Sequence, residues 1–75
     1  MFIIDDLISL LASLASAGEM TLKGAIESGA LDYEKVQAIR RAVYADDGDD
    51  LSLIIDRLRV KASHSDPGEF TGGQG

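Results

Sequence analysis

The chain has 75 residues, no cysteine, thirteen acids against seven Lys and Arg, and a net charge of −6. That length allows one domain with one small core, and the missing cysteines exclude a disulfide framework or a thiolate zinc site as its staple. The acidic balance argues against direct nucleic-acid binding, which needs dense local cationic charge, so a protein partner or self-association is the expected source of added stability.

Apolar residues at Ile4, Leu7, Ile8, Leu11 and Leu14 follow the i, i+3, i+4, i+7 series and predict an amphipathic helix over about 4–17. Ser9, Ser13 and Ser16 dilute the other face without charging it, so the helix offers more than one side for contact. The five-residue stripe is therefore the candidate partner-binding surface. Gly18 supplies a left-handed stop. Asp5 and Asp6 interrupt the apolar run, and the roughly 12 residues after them fall short of the ~20 needed for a membrane span. Acids also stand where a signal peptide would carry Lys or Arg. The expected location is cytoplasmic, in a bacterium, a host cell or an assembled particle.

Thr21 opens a second, shorter helix over about 21–28, with Leu22, Ala25 and Ile26 on one side and Gly29 as its stop. Gly24 inside it should weaken it by ~1 kcal/mol relative to Ala. Asp32 caps a third helix over about 33–46, with Val36, Ile39 and Val43 as its stripe and Tyr33 and Tyr44 at its margins. Glu34 in its first turn and Arg40 and Arg41 further on suit the helix dipole. Leu51, Ile54, Ile55, Leu58 and Ala62 predict a fourth helix over about 50–62. No run alternates with period two, so the expected fold is all-α, a three- to four-helix bundle over 1–62. Residues 63–75, SHSDPGEFTGGQG, read as a Gly-rich polar tail.

The densest chemistry lies in YADDGDDLSLIIDRL, where Asp46, Asp47, Asp49 and Asp50 surround Gly48. A calcium loop with Gly48 at its sixth position would put Val43 and Ala45 at the first and third ligand positions and Ile54 at the twelfth, which leaves only Asp47 in place. GDDLSLIIDRLR is similar to the Gly-Asp-Ser-Leu motif of phosphopantetheine carriers, but Asp50 stands where the serine would, and a carboxylate cannot accept the arm. The stretch reads instead as a joint: Gly48 closes the third helix in a left-handed cap, and Asp50 or Asp49 caps the fourth.

With no cysteine and the single His64 in the tail, neither a nucleophile–base pair nor a metal triad can be assembled. No catalysis and no cofactor are expected. Two functions remain. The first is an adaptor or structural assembly subunit that binds proteins through apolar helix faces. The second is an acidic inhibitor or nucleic-acid mimic that blocks a basic site through Asp46, Asp47, Asp49 and Asp50. Seven basic residues dilute the acidic surface a mimic needs, which favours the first.

Overall fold

A computed structural model describes residues 3–64. Four helices follow one another, α1 (Ile4–Ser16), α2 (Leu22–Glu27), α3 (Tyr33–Ala42) and α4 (Leu51–His64). This is the all-α bundle that the periodicity predicts. α4 runs two residues into the expected tail; residues 65–75 lie outside the described residues.

α1 packs chiefly along α4 and, over a shorter length, against α3. The core draws on every element: Leu7 and Leu11 from α1, Leu22 and Ala25 from α2, Val36 and Ile39 from α3, and Leu51, Ile54, Ile55 and Leu58 from α4. Leu31 and Ala45 add to it from the connections. Among the described residues no polar side chain is buried, so none has to be paired inside the core for folding to proceed.

The helix ends show why the chain turns where it does. At the end of α1 the Gly18 amide bonds the Ala15 carbonyl (3.1 Å) and the Glu19 amide reaches back to Leu14 (3.0 Å), with Gly18 at φ +107°. The same pair of bonds closes α2, from Gly29 to Ile26 (3.1 Å) and Ala30 to Ala25 (3.0 Å), with Gly29 at φ +84°. Both are Schellman closures, and a Cβ at either glycine would strain them. Thr21 Oγ1 accepts from the Gly24 amide (3.1 Å), and Asp32 Oδ1 accepts from the Lys35 amide (2.9 Å), so both N-caps fall where the sequence puts them. Gly24 has a use beyond permissiveness: a Cβ there would sit 3.2 Å from the Thr21 hydroxyl, and the missing methyl leaves the cap room.

The joint between α3 and α4 departs from expectation. α3 stops at Ala42, not near 46, because Val43 is extended (φ −145°, ψ 162°). The turn away from the helix carries Ala45 into the core. Gly48 is no left-handed cap, since Gly18 and Gly29 are the glycines at positive φ. Among the described residues no carboxylate caps α4: Asp49 Oδ2 accepts from the Asp46 amide and Arg57 instead, and Asp50 receives the Leu53 and Ile54 amides through its main-chain carbonyl (3.1 and 3.2 Å). The joint is held from outside instead. Lys23 donates to Asp47 (2.8 Å), Leu22 to Asp49 (3.0 Å) and Leu51 to Met20 (2.8 Å), all main chain to main chain. Thr21 and Asp50 thereby form an isolated antiparallel bridge that locks the starts of α2 and α4 together.

Candidate functional site

The α1 stripe divides on folding. Leu7 and Leu11 are 1% and 0% exposed, and Ile4, Ile8 and Leu14 are half-buried and pack on the core. Leu7 and Leu11 are taken into the bundle's own core, and Leu7 also lines the groove between α1 and α3. The periodicity that marks a contact face is the same whether the contact is with another molecule or with α4.

The large apolar side chains that remain exposed lie elsewhere: Ile3, Met20, Tyr33, Tyr44, Leu53 and Val60. Two surfaces beside helices hold three of them, Tyr33, Tyr44 and Val60. One lies at the α3–α4 joint, an open groove lined by Val43, Tyr44, Asp56, Arg57, Val60 and Lys61. The other lies along α3 beside the start of α1, lined by Ile4, Tyr33, Glu34, Gln37, Ala38 and Arg41. Sequence reasoning places Tyr33 and Tyr44 at the margin of α3 and assigns Val60 no role. The available signal for Val60 was its place off the Leu51, Ile54, Ile55, Leu58 stripe.

The joint surface is built around Arg57, which the α4 helix presents to the loop. Its Nη1 donates to the Tyr44 carbonyl and to Asp49 Oδ2, both at 2.8 Å. Its guanidinium carbon lies 5.9 Å from the centroid of the Tyr44 ring, within cation–π range. Asp49 Oδ2 also accepts from the Asp46 amide (3.0 Å), and the Tyr44 hydroxyl donates to Asp46 Oδ2 (3.1 Å). One arginine thus fixes the backbone and ring of Tyr44, and an exposed aromatic is held in place rather than left loose.

The same contacts disperse the acidic cluster. Asp47 pairs with Arg40 and Asp49 with Arg57, leaving Asp46 bonded to Tyr44 and Asp50 exposed. The Asp46 amide, and then Arg57, hold the Asp49 carboxyl below the usual carboxylate range. The hydrogen bond to Asp46 and its negative charge push the Tyr44 hydroxyl up. Among the described residues no three His, Asp or Glu side chains converge to hold a metal ion, and no helix is long and apolar enough to cross a membrane. Comparison with known protein families, curated proteins and solved structures gives no match for this chain.

Proposed function

We propose that this chain is a non-catalytic, acidic helical module that works through protein–protein contacts, as an adaptor or assembly subunit of a larger complex in the cytoplasm or in an assembled particle. The observation that carries the reading is the joint groove. Tyr44 and Val60 are 72% and 57% exposed beside Val43 in one groove, on a bundle that already has a core of its own. Single exposed apolar side chains are ordinary, but adjacent ones on a rigid support form the centre of an interface. Tyr44 combines ring area with a polar tip, a side chain well suited to that position.

The alternative, acidic mimicry, draws less support. Two of its four aspartates are paired with arginines of the same chain, so the charge they could offer a basic partner is partly spent. The two readings part on mutation. Val60→Asp and Tyr44→Ser should release a co-purified partner while leaving the helical circular-dichroism signal intact, and Asp46→Asn with Asp47→Asn should leave binding within about threefold. The reverse pattern would reject the protein-contact reading in favour of the mimic.

A further inference from the structure

The outer face of α3 has the pattern of an interface with itself. Glu34 and Arg41 both line the α1–α3 groove, seven residues apart, which is two helical turns or about 10 Å along one face. Both are exposed, and neither has an ion-pair partner among the described residues. The contrast on the same helix is clear, since Arg40 is paired to Asp47 and Lys35 to Asp32. Halfway between the two free charges stand Gln37 and Ala38. Ala38 is small enough to let a second helix approach closely. Tyr33, 75% exposed, extends the face by one residue, with its hydroxyl accepting from Gln37 Nε2 at 2.6 Å.

From this arrangement we infer that the chain forms a two-fold homodimer by antiparallel packing of α3 on α3 of a second copy, with Ala38 near the axis. A two-fold contact must be self-complementary: if residue i meets residue j, then j meets i. A helix face with an acid and a base placed symmetrically about a small residue meets that condition. Antiparallel docking sets Glu34 of each copy against Arg41 of the other, making two ion pairs from four charges that are unpaired in the single chain. Exposed ion pairs are individually weak, so they set register and direction. Affinity comes from covering Tyr33, Ala38 and the half-buried Ile4. The groove's mixed charge also fits a second copy better than an acidic or a basic partner, either of which would meet one like charge. This inference rests on the protein-contact reading and names one of its partners, leaving the joint groove of Tyr44 and Val60 open on each copy.

The test is sedimentation equilibrium on the full chain and three variants, with circular dichroism as the folding control. The wild type should be a concentration-dependent dimer. Glu34→Arg and Arg41→Glu should each weaken dimerisation about tenfold or more, because each replaces two attractive pairs by two repulsive ones. The double variant E34R/R41E, which restores complementarity with the signs exchanged, should recover most of the wild-type affinity. A monomeric wild type at the highest soluble concentration would overturn the proposal. So would single variants that dimerise like the wild type, or folded single variants whose loss the double exchange does not repair. Dimerisation indifferent to all three variants would locate self-association on another face, sinking this inference while leaving the protein-contact reading to the joint-groove variants.

Discussion

The carboxylate of Asp49 is the point where the α3–α4 joint is tied, accepting from the Asp46 amide and from Arg57 on the next helix. Its folded-state pKa is lowered, first by the Asp46 amide and then by Arg57. The stability it contributes is therefore present above the unfolded value of about 4 and is lost as pH falls through the lower folded value. Tyr44 acts in the opposite direction: its raised pKa means stability held below about pH 10 and lost as pH rises through the folded value. Urea midpoints followed from neutral pH downward should fall more steeply for the wild type than for Asp49→Asn, and equal slopes would remove Asp49 from the account. The glycines give a second contrast. Gly18→Ala and Gly29→Ala should each destabilise by about 1 kcal/mol, because both sit at positive φ. Gly48→Ala should stabilise by about 0.4–1 kcal/mol, since it lies outside that region and its Cβ would meet nothing within 4 Å. Thermal melts of the three variants check the signs. Thr21, Asp32, Gly18 and Gly29 were legible in the sequence because a cap is a local signal, satisfied within a few residues. The role of Asp49 was not, because Arg57 lies eight residues on and reaches it only once α4 has formed.

At the level of the helices, α1 is the element whose meaning changed most on folding. Its stripe was legible as a contact face, but a 3.6-residue period does not say which contact it serves. Leu7 and Leu11 are absorbed by packing against the rest of the bundle. Leu11→Ala should destabilise by about 2–5 kcal/mol in urea titration, and Leu11→Asp should unfold the domain, since it would bury an unpaired charge. A folded Leu11→Asp variant would contradict the core assignment. The early end of α3 was not legible either. Val43, Tyr44 and Ala45 fit a helical continuation, and what overrides that preference is non-local: burial of Ala45 and the main-chain bonds that join residues 20–23 to residues 47–51. Short α2 is positioned by the same bonds, so Thr21→Ala, which removes its cap, should cost about 1 kcal/mol and loosen the start of α4 as well. Faster amide exchange at Leu51 in that variant is the measurement that would show the coupling.

For the molecule as a whole, twelve buried apolar residues among those described form a small core, with no cysteine in the chain to staple it. Of the exposed apolar groups, Tyr33, Tyr44 and Val60 lie outside that core on grooves beside α3 and α4. The acids, meanwhile, are partly spent within the chain on Arg40 and Arg57. Apolar contact and acidic mimicry respond differently to salt, because screening weakens exposed charge attraction and leaves apolar burial intact. The deciding measurement is the affinity of the full chain for the partner that co-purifies with it from its native host, taken at about 50 mM and about 500 mM salt. A dissociation constant that changes less than about threefold, together with loss of binding in Val60→Asp, is the expected result. A weakening of a hundredfold or more over that range, on the order seen when many charge contacts are screened, with Val60→Asp still binding, would contradict it.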